Sequence, residues 1–140
     1  MKILGFNFTK IHAERASSGN LSDLKINSNI DISEIKEVKS ELFKSKETMT
    51  NIKFSYDIGY EPDFAKISFE GNLVLSMDSR TSSEILRKWK SQELPENFRV
   101  TLFNIILKKA SLRALQIEEE FNLPYHLPLP NVKLRKEEEQ

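Results

Sequence analysis

Histidine and clustered glutamate are the side chains of this sequence that could move protons or hold a metal ion. His12 and His126 are the only histidines, and neither has a partner at the spacing of a metal pair or of a dyad that activates a nucleophile. Three consecutive glutamates, residues 118–120, lie near the carboxyl end of a predicted helix. They could contact a partner, but a solvated helix end explains them better. We therefore interpret both histidines as structural and predict no metal site.

The local motifs of the common enzyme classes are also missing. Cysteine is absent, which excludes thiolate metal sites, disulfides and cysteine nucleophiles and fits a reducing compartment. The sequence contains no nucleophile elbow and no paired-carboxylate motif, and its 4 glycines form no phosphate-binding loop. We predict that the protein is not an enzyme and uses no cofactor.

Net charge and hydropathy narrow the classes of partner. Lysine plus arginine and aspartate plus glutamate number 21 each, so no overall field favours nucleic acid or an anionic membrane. No stretch reaches the roughly 18 apolar residues of a membrane span, and residues 1–16 lack the apolar run of a secretory signal. We expect one cytoplasmic domain that is long enough to bury a hydrophobic core. We expect no nucleic-acid partner and no membrane insertion.

Alternating apolar residues predict two strands in the middle of the chain. Apolar residues occupy the even positions over 50–60 and the odd positions over 65–77, with a turn containing Pro62 between them. Each strand therefore has one apolar and one polar face, which is typical of an antiparallel sheet. Gly71 interrupts the second apolar row and indicates a bulge or a close approach of backbone.

Two earlier stretches alternate in the same way. Residues 4–13 change phase near Thr9 and Lys10, which is typical of a strand with a bulge, and residues 24–32 form a second strand. Residues 33–47 fit no single pattern. They are compatible with a helical turn, a continued strand or a loop.

Two helices are predicted after the strands. Thr81 and Glu84 form a capping box that would begin a short helix. Pro95 suits the first position of a long helix, which we expect to stop at Leu123 because Pro124 disfavours helical backbone in the residue before it.

The long helix carries apolar residues on two faces. One face is formed by residues spaced three and four apart, namely Phe103, Ile106, Leu107, Ala110, Ala114, Ile117 and Phe121. The nearly opposite face contains Phe98, Leu102, Ile105 and Leu112. One layer cannot bury both faces, so we predict a homo-oligomer, a dimer or a tetramer, with Leu102, Ile105 and Leu112 at its interface.

The order of the predicted elements resembles the SecB family of bacterial export chaperones and its relatives outside the export pathway. Residues similar to the start of that family's long helix are Pro95, Asn97, Phe98, Leu102 and Phe103. Residues similar to its terminal motif of alternating leucine and proline are Leu123, Pro124, Leu127, Leu129, Pro130 and Val132.

The resemblance implies an α+β domain over residues 1–132. Its four-stranded antiparallel sheet would be followed by a short and a long helix packed on one face and by an extended, proline-rich C-terminal tail, with residues 133–140 as a charged disordered end. Family members bind non-native proteins in apolar grooves without ATP, pair as dimers of dimers, and SecB delivers its clients to the motor SecA. SecB uses an acidic surface for that motor, whereas this chain is charge-balanced.

We therefore predict an ATP-independent holdase that binds unfolded or nascent polypeptides, with protein export as one setting. The candidate groove residues are Ile35, Val38, Leu42, Phe43, Leu86, Trp89 and Phe98. Three alternatives stay open: a structural or adaptor homo-oligomer, a chaperone dedicated to one partner such as an antitoxin, and a carrier of a small ligand or lipid.

Overall fold

A computed structural model of the protein describes residues 1–19, 21–38 and 47–135. The strands and α-helices in these ranges are, in chain order, β1 (Lys2–Arg15), β2 (Lys25–Val38), β3 (Glu47–Glu61), β4 (Ala65–Asp78), α1 (Ser79–Trp89) and α2 (Glu96–Glu120). Neither α-helix in these ranges is long and apolar enough to cross a membrane.

The four strands form one antiparallel sheet in the order β1-β4-β3-β2, and the two helices follow it along the chain. The predicted α+β class is confirmed. The even positions of β3 over 50–60 and the odd positions of β4 over 65–77 are buried, as their alternation predicts. A side-chain carbon added at Gly71 would lie 2.7 Å from the ring of Phe54, so a close approach explains this glycine.

The outer strands are bent by bulges. The register of β1 against β4 shifts between Ile3 and Gly5 and again between Phe8 and Lys10, which confirms the predicted irregularity. The register of β2 shifts between Ile32 and Glu34, and the strand continues to Val38. The first part of the ambiguous stretch is therefore strand, and residues 39–46 lie outside the described residues.

The short helix α1 begins earlier than the capping box predicts. The side chain of Asp78 is the N-cap, and its carboxylate accepts a hydrogen bond of 2.7 Å from the backbone N–H of Thr81. Aspartate is a strong N-cap residue, and this bond holds the pKa of Asp78 below its usual range. The turn from β4 into α1 is thus made by the last residue of the strand.

The long helix α2 follows Pro95 and ends at Glu120, slightly before the predicted end. Its end is set by Asn122, whose backbone is left-handed with φ 52°, a conformation common just after a helix. The N–H of Leu123 then donates to the carbonyl of Glu118 at 2.8 Å. The helix therefore ends before the residue whose backbone Pro124 restricts.

The face of α2 that packs on the sheet differs from the predicted one. Phe98, Leu102, Ile106, Ala110 and Ala114 are all buried and follow one another at steps of four residues. Such a row drifts by about 40° per step, because each residue of a helix turns by about 100°. The buried stripe therefore winds around α2, and the prediction that Phe98 and Leu102 lie opposite Ile106 is wrong.

The core lies between the helices and the apolar face of the sheet, in two neighbouring parts. One part contains Ile85 of α1 and Leu102 of α2, and the other contains Ala114 and Ile117 of α2. Beyond α2, residues 133–135 are exposed and have no regular structure, and 136–140 lie outside the described residues.

Candidate functional site

A groove with a volume of about 380 Å³ opens beside the edge strand β2, where α1 ends and α2 begins. We call it the Trp89 groove. It is lined by Asp31, Ile32, Trp89, Gln92, Glu93, Leu94, Arg99 and Phe103. Ile32 is buried, whereas Trp89 and Phe103 are half-buried and pack on the core. The lining thus combines four apolar side chains with four polar or charged ones, which we call the rim of the groove.

Local backbone hydrogen bonds place the groove residues. The left-handed backbone of Gln92, with φ 60°, reverses the chain after α1, and its N–H donates to the carbonyl of Trp89 at 2.8 Å. The N–H of Glu93 donates to the carbonyl of Lys88 at 3.1 Å. The β2 bulge directly follows Ile32, and bulges commonly redirect side chains at sheet edges. A short connection and an irregular edge together leave the groove open.

The charges of the rim are mixed, with an acidic excess. Asp31 and Glu93 contribute carboxylates, and Arg99 contributes one cation. Among the described residues, no group of three or more histidines and carboxylates is placed to hold a metal ion. The groove can make apolar contacts, and the acidic excess of its rim favours basic over acidic groups. This chemistry is compatible with an extended peptide that carries apolar and basic side chains.

The structure brings few of the predicted client-binding residues to this groove. Trp89 lines it, and Leu86 is half-buried against the adjoining core. Val38 is exposed at the last position of β2. Leu42 and Phe43 lie outside the described residues. The role of these residues in client binding stays a prediction.

Two of the predicted groove residues belong to the core. Ile35 is 5% exposed and Phe98 is 8% exposed, and both lie in the cluster beneath α1. Ile35 continues the inward-facing row of β2 after the bulge, where it pairs with Ile52. The irregular sequence pattern after residue 32 concealed the continuation of β2 through Ile35. The assignment of Ile35 and Phe98 to an exposed groove is corrected, because both side chains are buried.

Sequence reasoning missed several residues that line the groove. Ile32 is the last residue of a predicted strand and Phe103 lies on a predicted apolar face of the long helix, neither with any link to a site, and Leu94 belongs to no predicted element. For Ile32 and Leu94 the available signal was their position, because Ile32 lies at a bulge and Leu94 in the short connection between the helices, whereas Phe103 lies inside α2 and has no such signal.

A second apolar surface lies between α2 and the first residues of β1. We call it the α2–β1 face. Its volume is about 420 Å³, and it is lined by Ile3, Thr101, Asn104, Ile105, Lys108, Lys109 and Leu112. Leu112 is 64% exposed and Ile3 is 44% exposed. Large apolar side chains that remain this exposed are candidates for contact with another chain.

Only part of the predicted oligomer interface lies on this face. Ile105 and Leu112 line it, whereas Leu102 is 0% exposed and packs in the core of its own chain. The winding buried stripe of α2 explains the difference, because Leu102 continues the row of Ile106. The assignment of Leu102 to an interface is corrected, and that of the other two stays a prediction.

A buried polar cluster, the Glu118 cluster, ties the chain after α2 to the body. Glu118 is fully buried, and its carboxylate accepts from the backbone N–H of His126 at 2.9 Å and from the hydroxyl of Tyr60. Nδ1 of His126 lies 2.8 Å from the same carboxylate, and Nε2 lies 3.4 Å from Oγ of Ser111. Burial and the neighbouring carboxylate raise the pKa of Tyr60. The prediction that residues 118–120 form a solvated helix end is wrong for Glu118, which is buried, whereas Glu119 and Glu120 are exposed.

The cluster has the residue types of a Ser–His–Glu triad but serves as a structural tie. Ser111 is 7% exposed and the side chain of His126 is 3% exposed, so a substrate cannot reach the hydroxyl. The carboxylate is occupied by the donors around it, as a buried charge requires. Its effect is to hold residues that follow α2 against that helix.

Arg15 holds the end of α2 from the other side. Its guanidinium donates to the carbonyls of Phe121 and Asn122, the latter at 3.0 Å, and lies 5.0 Å from the centroid of the Phe64 ring. A cation at the carboxyl end of a helix also balances the helix dipole. The point where the chain leaves α2 is thus fixed by β1 and by the Glu118 cluster.

No protein-family model matches the chain, and no curated protein matches its sequence. Among solved structures, the chain is similar to the Mycobacterium tuberculosis Rv1957 SecB-like chaperone, which was solved in complex with a ChAD peptide from the Rv1956 HigA1 antitoxin. The sequence identity is 12% and the TM-score is 0.48, and the similarity covers 96% of this chain and 92% of that chain.

Proposed function

We propose that the protein is an ATP-independent chaperone of the holdase type that receives extended apolar segments of non-native proteins in the Trp89 groove. The observation that carries this proposal is an open groove lined by the apolar side chains of Ile32, Trp89 and Phe103, beside β2, which is an outer strand of the sheet formed by the described residues. The resemblance of the carboxyl-terminal third to SecB-like chaperones supports the same function.

The edge position of β2 suits an extended client. An edge strand presents backbone N–H and carbonyl groups that can pair with another chain, while alternate client side chains enter the groove. Backbone pairing and apolar contact are both tolerant of sequence, which a holdase requires. Polar groups on the rim, Asp31 and Glu93, add a preference for basic side chains in the client.

We expect a single groove to bind a client weakly, because the free energy gained in it is small. Two buried client side chains contribute about 3–6 kcal/mol, and ordering the client offsets much of that gain. Several grooves acting on one long client bind it more tightly, through effective concentration. We therefore include in the proposal a cytoplasmic homo-oligomer, assembled through the α2–β1 face, that presents several grooves.

The decisive experiment measures aggregation of a denatured, diluted model protein, with no nucleotide added. Wild-type chain at near-stoichiometric amounts is expected to suppress the aggregation. Trp89→Ala should weaken that suppression several-fold because it removes the largest side chain that lines the groove, and Leu21→Ser is the matched control, since Leu21 is an exposed apolar residue in the turn before β2. Thermal melts of each variant separate lost binding from lost folding. A well-folded wild-type chain without any suppressing activity would refute the proposal.

A chaperone dedicated to one partner, such as an antitoxin, is the narrower form of the same function. It predicts strong protection of one client and little of others. The second candidate function is a structural or adaptor oligomer, which the exposed Leu112 and Ile3 of the α2–β1 face favour. An apolar dye that binds nowhere on the native oligomer would select that candidate, whereas dye displaced by client would select the holdase.

A further inference from the structure

The chain after α2 turns back along the helix. His126 follows Glu118 by eight residues, yet its backbone N–H bonds the Glu118 carboxylate at 2.9 Å. Its ring nitrogen Nε2 reaches Ser111 at 3.4 Å, and Ser111 lies about 10 Å further back along the helix axis than Glu118. The segment after Asn122 therefore runs antiparallel to α2.

This returning segment passes over β3, the strand that pairs with β2. The carbonyl of Pro124 lies 2.9 Å from the hydroxyl of Tyr60, and two residues later the ring of His126 packs edge-on against Tyr56, with centroids 6.4 Å apart. The segment thus passes from Tyr60 to Tyr56, backwards along β3. The next inward residue of β3 is Phe54, whose partner on β2 is Ile32, which lines the Trp89 groove.

Residues 127–132 are long enough to cover the distance along α2 between Ser111 and the Trp89 groove. Phe103 and Arg99 of the groove precede Ser111 on α2 by eight and twelve residues, which is about 12–18 Å along the axis. Residues 127–132 span about 19 Å when extended, and the prolines among them favour extended backbone. Residues from Val132 onward can therefore reach the groove without release of His126.

The end of the segment has the chemistry of an occupant of that groove. Val132 is 97% exposed and Leu134 is 96% exposed. In an extended chain these two side chains point to one side, while Lys133 and Arg135 point to the other. The groove offers apolar side chains with Asp31 and Glu93 on its rim, so apolar and charged groups both find complements.

We infer that residues Val132 to Arg135 form a strap that closes into the Trp89 groove and competes there with polypeptide clients. The regulatory consequence rests on the proposed function, whereas the docking of the strap does not. In this arrangement the Glu118 cluster is the anchor of the strap. The groove is open to a client only when the strap has left it.

Trp89 reports on the strap directly, because it is the only tryptophan of the chain and lines the groove. The test compares the full chain with a chain truncated after Asn131 and with Val132→Ser/Leu134→Ser. A chain truncated after Arg135 is the matched control. Truncation after Asn131 and the double substitution should move Trp89 emission to longer wavelength and at least double its quenching by acrylamide, while the control matches the full chain. Identical Trp89 signals in all four chains would overturn the inference.

Binding of a labelled peptide with the sequence of residues 127–135 separates the strap from the proposed function. The chain truncated after Asn131 should bind this peptide about five- to tenfold more tightly than the full chain, and Lys133→Glu/Arg135→Glu in the peptide should weaken it. A Trp89 response without any holdase activity would keep the strap and refute the proposed function. Holdase activity with equal peptide affinity in both chains would keep the proposed function and refute the strap.

Discussion

Glu118 is a fully buried carboxylate near the end of α2, and its partners belong to two other parts of the chain. Tyr60 comes from β3 and His126 from the returning segment, and the ring of His126 in turn reaches Ser111 on the preceding turns of α2. A buried charge is tolerated only when donors surround it. The cluster therefore requires all these elements in place, and it fixes the direction of the chain after α2.

Glu118→Ala is expected to destabilise the protein by about 3–5 kcal/mol, because it leaves the His126 N–H without its acceptor and removes one of the two acceptors near the Tyr60 hydroxyl. In a domain of this size, that change corresponds to a fall in melting temperature of roughly 6–15 °C. Glu120→Ala is the matched control, since Glu120 is exposed on the same turn and should change the free energy of unfolding by less than about 0.5 kcal/mol. Equal melting temperatures for the two variants would show that the cluster contributes nothing.

This cluster could not be predicted from the sequence. Glu118 and His126 are eight residues apart across a helix end, a spacing that corresponds to no local motif, and only the left-handed Asn122 brings them together. Asn122 itself is a readable signal, because asparagine favours left-handed backbone just after a helix. Trp89 was predicted from the sequence as a groove residue and lines a groove, but its part in client binding stays a prediction, and Ile32 in the same lining is identified only by the register of β2.

At the scale of elements, α2 has one face on the sheet and a second row that remains partly exposed. Leu112 and Ile105 belong to that row and meet Ile3 of β1 on the α2–β1 face. Among the described strands, β1 is also at an edge of the sheet, and an edge strand can pair with another chain. Exposed apolar side chains beside such a strand are compatible with association with a second copy of the chain.

Under the proposal of a homo-oligomer, Leu112→Asp is expected to dissociate it, because a carboxylate in an apolar contact loses its water without a partner. Light scattering should then give a mass of 16.3 kDa in place of a multiple of it. Val100→Asp is the control, since Val100 is 53% exposed on α2 but does not line the α2–β1 face. Circular dichroism should be unchanged in both, because neither residue is buried. A mass that Leu112→Asp leaves unaltered would place any interface elsewhere.

The elements were predictable where one local pattern dominates. β3 and β4 alternate over most of their length, with Gly71 as the one break in the apolar row of β4, and their buried positions agree with the prediction. β2 was shortened because the bulge after Ile32 changes the phase of the pattern. The start of α1 was misplaced because two capping signals lie three residues apart, and Asp78 takes the role that Thr81 was expected to have. The order β1-β4-β3-β2 depends on long-range pairing that no local pattern contains.

At the scale of the whole molecule, the two apolar surfaces lie on opposite edges of the sheet. The α2–β1 face adjoins β1, whereas the Trp89 groove adjoins β2. Assembly through one edge therefore leaves the other free for clients. Under the proposed function, this separation allows one chain to use apolar contact both for self-association and for reversible binding.

The separation predicts that assembly and single-site binding can be uncoupled. In Leu112→Asp, a nine-residue peptide should bind with unchanged affinity, because the Trp89 groove is intact in each monomer. A long unfolded client should bind at least tenfold more weakly, because it can no longer engage several grooves at once. Fluorescence anisotropy measures both affinities, with Val100→Asp as the control that should match wild type for both ligands. If the peptide and the long client weaken together, the groove itself depends on the oligomer. If neither weakens although the oligomer has dissociated, the grooves act singly and avidity plays no part.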